Sequence, residues 1–103
     1  MPPKDTQAGN EPVRAHVWVK GLVQGVGFRA HVEYYARRTG VTGWVRNVGY
    51  DMVEAVAEGE REKVERFIGM MKEGPRMSRV DESRVEWEEA TGEFREFGVR
   101  RSM

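Results

Sequence analysis

The residues of this chain that could do chemistry are concentrated between Gly21 and Arg29, in the stretch Gly-Leu-Val-Gln-Gly-Val-Gly-Phe-Arg. Its three glycines allow a tight turn that exposes backbone N–H groups. The helical pattern that begins at Phe28 adds the free N–H groups and the positive dipole end of a helix N-terminus. Such a cradle suits a small anion, most naturally a phosphate, and the Arg29 guanidinium can donate to two phosphate oxygens at once. We therefore predict that six consecutive residues bind phosphate: Gln24, Gly25, Val26, Gly27, Phe28 and Arg29.

Other interpretations of the same loop must be weighed. The segment from Gly25 to Ala30 fits the dinucleotide form G-x-G-x-x-A. However, no carboxylate ends the second predicted strand near Asn47, and the chain is too short for two mononucleotide-binding halves. A P-loop needs Lys and Ser or Thr directly after its last glycine, where Phe28 and Arg29 stand. On this loop alone, a plain turn without a ligand stays open, with Arg29 in a surface ion pair to a helix glutamate.

Hydrophobic periodicity indicates the elements that must position the loop. Val13, Ala15, Val17 and Val19 alternate with polar or larger residues, which is typical of a strand. The same reasoning predicts strands over residues 13–20, 41–48, 52–58, 80–89 and 94–99, a turn over 49–51, and helices over 28–39 and 60–73. Gly40 is the predicted stop of the first helix and Gly59 the predicted N-cap of the second.

The predicted order is βαββαβ followed by a short final strand. Right-handed crossovers place both helices on one face of an antiparallel-mixed sheet. We therefore predict an α+β fold, a ferredoxin-like α/β sandwich whose other sheet face is open. Strands one and two are assumed to pair in parallel around the first helix.

Composition limits the class of protein. The chain has 103 residues, 17 basic and 17 acidic side chains, and no cysteine. These values suit one domain, residues 13–103, after a polar and flexible tail, residues 1–12. Zero net charge and the lack of a long apolar run favour neither nucleic acid nor a membrane as a partner, and we expect a monomer in the cytoplasm. The carboxylates are scattered singly and neither histidine has a partner at ligand spacing, so we expect no metal and no cofactor.

A second motif, Gly43-Trp44-Val45-Arg46-Asn47, follows the loop. Together the two motifs, at this separation, resemble the acylphosphatase family over about residues 13–99. The resemblance implies a hydrolase that splits small acyl phosphates into a carboxylate and inorganic phosphate, on a ferredoxin-like fold, with Arg29 and Asn47 as catalytic residues. The chain departs from many members in its hairpin, where Tyr50-Asp51-Met52 replaces an Asp-Gly or similar pair.

The chemistry assigns different roles to the two implied catalytic residues. Arg29 would hold two phosphoryl oxygens and stabilise the charge of the transition state. Asn47 shares strand parity with Val45, so it should face the helices near the start of the first one. Its carboxamide can position a water but cannot remove a proton.

No protein base is evident, and the hypothesis is that the substrate's own phosphate oxygen accepts the proton of the water. His31 lies about 200° around the helix from Arg29 and should point away from the site. His16 shares a face with Trp18 on the open side of the sheet. Both histidines are predicted to be bystanders.

Two alternatives of another class stay open. One is an RNA-binding module of the same fold, with Trp18, Trp44 and Tyr50 on the open sheet face, although strand three has no aromatic residue. The other is a domain that binds an anion without turnover. Related domains also occur inside larger carbamoyl-transfer proteins, and we expect a free-standing hydrolase here.

Overall fold

A computed structural model describes residues 11–103, which form five strands and two helices. The predicted tail, residues 1–12, lies almost entirely outside the described residues. In chain order the elements are β1 (Pro12–Leu22), α1 (Phe28–Thr39), β2 (Thr42–Val48), β3 (Met52–Glu60), α2 (Arg61–Glu73), β4 (Arg79–Glu89) and β5 (Phe97–Val99). Within residues 11–103, no helix is long and apolar enough to span a membrane.

The strands form one sheet in the order β4-β1-β3-β2-β5. β1 pairs antiparallel with β3 and β4, β2 pairs antiparallel with β3, and β2 pairs parallel with β5. The assumed parallel pairing of strands one and two is therefore wrong. Helix α1 carries the chain across one strand position, and β3 fills that position through its hairpin with β2. β1 and β2 still run in the same direction, because both are antiparallel to β3. The predicted ferredoxin-like α+β fold is confirmed.

The core lies between the helices and the inward face of the sheet. Ala15, Val17 and Val19 of β1 are fully buried, as their alternation predicts. The helices contribute apolar residues at helical spacing: Phe28, Val32 and Ala36 from α1, and Val64, Phe67, Ile68 and Met71 from α2. By spacing Tyr35 falls on this same helical face, but it is 43% exposed and its ring lies against His31.

Several element boundaries differ from the prediction. β1 continues to Leu22, so Gly21 belongs to the strand and not to the turn. β3 continues through Gly59, which pairs with Val13, so the N-cap of α2 is Glu60 rather than Gly59. The last strand is shorter than predicted, because residues 95–96 form a bend before Phe97. Earlier in this segment, directly after β4, the chain turns on Glu58. That carboxylate accepts hydrogen bonds from the N–H groups of Thr91 (2.9 Å) and Gly92 (3.0 Å).

The open sheet face carries two buried carboxylates among aromatic rings. His16 stacks on Trp18 with ring centroids 3.8 Å apart, as their shared parity predicts. Glu54 lies 2.6 Å from His16 Nε2 and accepts a 2.7 Å hydrogen bond from Arg46 Nε. Burial alone would raise the pKa of Glu54, but the hydrogen bonds from His16 and Arg46 outweigh it and the pKa is lowered.

Candidate active site

A cavity of about 330 Å³ lies where α1 begins. It collects residues from three parts of the chain: the loop between β1 and α1, the end of β2, and β5. Its lining consists of Val23, Gln24, Gly25, Gly27, Phe28, Arg29, Ala30, Glu33, Asn47 and Val99. Five of the six predicted phosphate-binding residues line it together with Asn47. The sixth, Val26, packs against the hydrophobic core.

The loop backbone is shaped by two glycines in the left-handed region. Gly25 has φ 75° and Gly27 has φ 76°. A side chain would be strained at either position, although no atom of the described part of the chain would obstruct it. Left-handed residues in a turn let successive N–H groups converge on one point, which makes a concavity for an anion.

Helix α1 begins with free backbone donors. Gly27 is its N-cap, no side chain among residues 11–103 caps it, and its first turn holds no acidic residue. The His31 N–H donates to the Gly27 carbonyl at 3.0 Å and starts the helical ladder. The N–H groups of Phe28, Arg29 and Ala30 therefore have no acceptor within the helix and lie at its positive dipole end. An anion in the cavity would accept from them and lower the potential there.

Arg29 lies in this first turn and lines the cavity. Glu33, one turn later, pairs with Arg37 at 3.3 Å rather than with Arg29. Over residues 11–103 the guanidinium of Arg29 enters no ion pair. The alternative in which Arg29 serves a surface ion pair therefore has no support in the structure.

Asn47 reaches the same cavity from the end of β2. It shares strand parity with Val45, which is fully buried beneath the helices. Its carboxamide oxygen Oδ1 is buried and, within the described part of the chain, accepts no hydrogen bond. A buried oxygen without a donor is costly, and in proteins it is normally satisfied by a water or a ligand. The atom is thus available to a hydrogen-bonded molecule in the cavity.

The side chain of Gln24 has a role that the sequence did not reveal. Its amide Nε2 donates to the carbonyls of Val48 (3.2 Å), Gly49 (3.1 Å) and Met52 (3.0 Å). Gln24 is predicted to contribute its backbone N–H to an anion, and its side chain in addition holds the β2–β3 hairpin. No local pattern could show this contact, because its acceptors lie 24–28 residues away.

Neither histidine lines the cavity. His31 lies in a separate cleft with Tyr35, Arg66 and Glu73. Burial lowers the pKa of His31, and the charge of Glu73 only partly opposes this. His16 is on the opposite face of the sheet, beside Glu54. Among residues 11–103, no group of three or more His, Asp or Glu side chains could hold a metal ion.

The fold and the cavity together define a class of protein: a small ferredoxin-like α/β sandwich with a cavity at the start of its first helix, where backbone donors are free. The model of the acylphosphatase family matches residues 15–99. The chain therefore belongs to the acylphosphatase family.

Individual relatives agree with this assignment. The chain is 50% identical over 86 residues to the acylphosphatase of Roseiflexus sp. (strain RS-1), covering 84% of this chain and 92% of the relative. It is 51% identical over 80 residues to the acylphosphatase of Thermococcus kodakarensis, covering 78% of this chain and 88% of the relative. The predicted family, and with it the class of hydrolase, is confirmed.

Solved structures show the same fold. Acylphosphatase from Bacillus subtilis superposes with a TM-score of 0.81 at 31% identity, covering 85% of this chain and 98% of that one. Full-length HypF, in a phosphate- and nucleotide-bound form, superposes with a TM-score of 0.80 at 30% identity. There the match covers 90% of this chain but only 12% of HypF. The chain thus spans nearly all of the free-standing enzyme and a small part of the larger protein.

Proposed function

We propose that this chain hydrolyses small acyl phosphates to a carboxylate and inorganic phosphate, with no metal or cofactor. The observation that carries the proposal is the meeting of Arg29, the free N–H groups of α1 and the unpaired Oδ1 of Asn47 on one cavity. Arg29 and the free N–H groups suit a phosphoryl anion, and Oδ1 of Asn47 suits a water. Membership in the acylphosphatase family supports the same reaction.

The phosphoryl group would bind at the loop. Backbone N–H groups of residues 24–29 would donate to its oxygens, and the Arg29 guanidinium would bridge two of them. The backbone donors are held by the loop and by α1, so they keep their orientation throughout the reaction. They therefore stabilise the extra charge of the transition state without the cost of reorganising water.

Asn47 would position the attacking water. Its Oδ1 accepts a hydrogen bond from the water and aims the oxygen of the water at phosphorus, opposite the leaving acyl oxygen. A new P–O bond forms while the bond from phosphorus to the acyl oxygen breaks, and the carboxylate leaves with the electron pair. The proton of the water passes to a phosphoryl oxygen of the substrate, since Asn47 cannot take it.

The test is the hydrolysis of benzoyl phosphate by the wild type, Arg29→Ala and Asn47→Ala. Each variant should lose roughly 100-fold or more in kcat, the order seen when one preorganised transition-state donor is removed. Inorganic phosphate should inhibit the wild type competitively. Arg38→Ala is a matched control, because Arg38 lies on α1 over the ring of Tyr34 and outside the cavity. Wild-type turnover in both Arg29→Ala and Asn47→Ala would overturn the assignment.

The same assay separates the alternatives. Phosphate binding without turnover would favour a domain that only binds an anion.

RNA binding is disfavoured by the buried carboxylates Glu54 and Glu58 on the open face, and by Tyr50, which sits exposed at the tip of the hairpin. The lack of a nucleic-acid partner, the monomeric state and the cytoplasmic location stay proposals. Charged side chains along the sheet edge β4, such as Glu82 and Arg84, support a monomer because they oppose edge pairing.

A further inference from the structure

The β2–β3 hairpin begins directly after Asn47, and the side chain of Gln24 is bonded to it. The three carbonyls that accept from Gln24 Nε2 belong to Val48, Gly49 and Met52, at distances of 3.0–3.2 Å. Val48 is the next residue after Asn47. One amide group therefore connects the phosphate loop with the strand end that presents Asn47.

We propose that Gln24 is a positioning residue, which fixes the phosphate loop relative to Asn47 so that the bound phosphoryl group and the positioned water are aligned. The inference rests on the proposed function, because it assigns the loop to phosphate and Asn47 to water. Gln24 acts here through its side chain alone, in addition to any contact of its backbone N–H.

The sheet topology explains why such a link is needed. The loop follows β1, whereas Asn47 ends β2, and β3 lies between these strands. No β1–β2 ladder fixes the two parts of the cavity directly. The Gly21 N–H near the end of β1 donates to the Asp51 carbonyl at 2.9 Å, which ties the strand end before the loop to the hairpin. Gln24 extends this attachment to the middle of the loop, beside the anion cradle.

The chemistry of the contact requires a donor. An amide NH2 offers two protons and can share them among three carbonyl oxygens, whereas a carboxylate only accepts. Gln24→Glu keeps the shape of the side chain and places negative charge against three carbonyl oxygens. Gln24→Met keeps the length but removes the donor. Because a misplacement of about 1 Å can cost on the order of 100-fold in rate, both variants should be slow.

The first measurement compares kcat with phosphate affinity. In Gln24→Met, kcat for benzoyl phosphate should fall roughly 10- to 100-fold, the inhibition constant of inorganic phosphate should stay within about threefold, and the far-UV spectrum should match the wild type. Ser78→Ala is the control, because it also removes a side-chain donor to a backbone carbonyl, that of Pro75, but away from the cavity. It should keep wild-type kcat. A wild-type kcat in Gln24→Met, with Arg29→Ala and Asn47→Ala inactive, overturns this inference and leaves the proposed function standing.

A double-mutant cycle tests whether Gln24 acts through Asn47. Once Asn47 is alanine, no water is positioned, so adding Gln24→Met should cost little further in kcat. If Gln24→Met lowers kcat by the same factor in the wild type and in Asn47→Ala, its effect is independent of Asn47 and the inference is overturned. Wild-type rates in both Arg29→Ala and Asn47→Ala would instead overturn the proposed function itself, so the two failures are distinguishable.

Gln24→Glu supplies a readout that does not depend on the stability of Gln24→Met. Its activity relative to the wild type should rise on acidification, because protonation of the introduced carboxylate restores one O–H donor toward the carbonyls. A ratio that does not change between pH 7.5 and about pH 5 would contradict the positioning role.

Discussion

Arg29 occupies an electrostatically unfavourable place in the chain. It lies in the first turn of α1, where the dipole end is positive, no acidic residue is present and Glu33 is engaged by Arg37. A cation there is repelled unless an anion shares the cavity. The free protein therefore stores an unfavourable interaction at the residue that should hold the phosphoryl group, as is common where binding is preorganised.

This placement predicts that Arg29 raises the affinity for phosphate but lowers the stability of the phosphate-free protein. In phosphate-free buffer, Arg29→Ala should leave the free energy of unfolding unchanged or raise it by about 0.3–1 kcal/mol, because it removes a cation from a positive helix end. Urea unfolding measures this. Arg38→Ala is the matched control at the other end of α1, where Arg38 faces the negative dipole end, and it should lower the free energy.

Adding phosphate should make the wild type more stable than Arg29→Ala. Phosphate binds the folded protein, so it should raise the wild-type melting temperature progressively with concentration and raise that of Arg29→Ala much less. A clear loss of stability in Arg29→Ala without phosphate would contradict this account of Arg29.

The buried carboxylates of β3 act at the scale of the element. Glu54 is held by His16 and Arg46. Glu58 accepts a 2.8 Å hydrogen bond from Arg14 Nε and the N–H bonds that anchor the turn after β4. Burial would raise the pKa of Glu58, but the backbone hydrogen bonds from Thr91 and Gly92 and the hydrogen bond from Arg14 lower it below its usual value. β3 is thus tied through charge to both its neighbours and to the chain that leads into β5.

These lowered pKa values predict a loss of stability in acid. The unfolded chain binds protons on both glutamates at higher pH than the folded protein does, so stability rises with pH across this range. The contribution is complete above the unfolded pKa values and is lost as pH falls through the folded ones, from roughly pH 5 downward. Glu54→Gln and Glu58→Gln should each flatten the curve of unfolding free energy against pH. The exposed Glu89→Gln is the control and should reproduce the wild-type curve. Unchanged slopes in both buried variants would contradict this account.

The elements show which features periodicity can predict. The limits of α1 follow from its apolar spacing and from Gly40, whose φ of 89° ends the helix as predicted. Gly59 was wrong as a cap, because a glycine beside a helix start looks the same in sequence whether it caps the helix or ends a strand. The predicted pairing of β1 with β2 was also wrong. Strand pairing depends on where the β2–β3 hairpin returns and not on any residue of β1.

At the scale of the whole molecule, the cavity is a product of the topology. The loop after β1, the end of β2 and Val99 of β5 meet because β3 is inserted between β1 and β2 and β5 pairs parallel to β2. Motif and strand parity could predict that Arg29 and Asn47 lie near the start of the first helix, where both line the cavity. They could not predict the contact of Gln24 with the hairpin or the presence of Val99 in the lining, because those depend on the assembled sheet.

The central claim is that water attacks phosphorus held in this cavity, and isotope labelling tests it most directly. Benzoyl phosphate is hydrolysed by the wild type in water enriched in oxygen-18, and both products are analysed by mass spectrometry. Attack at phosphorus breaks the bond between phosphorus and the acyl oxygen, so the label should appear in inorganic phosphate and not in benzoate. Label in benzoate would show attack at the carbonyl carbon and contradict the roles assigned to Arg29 and Asn47.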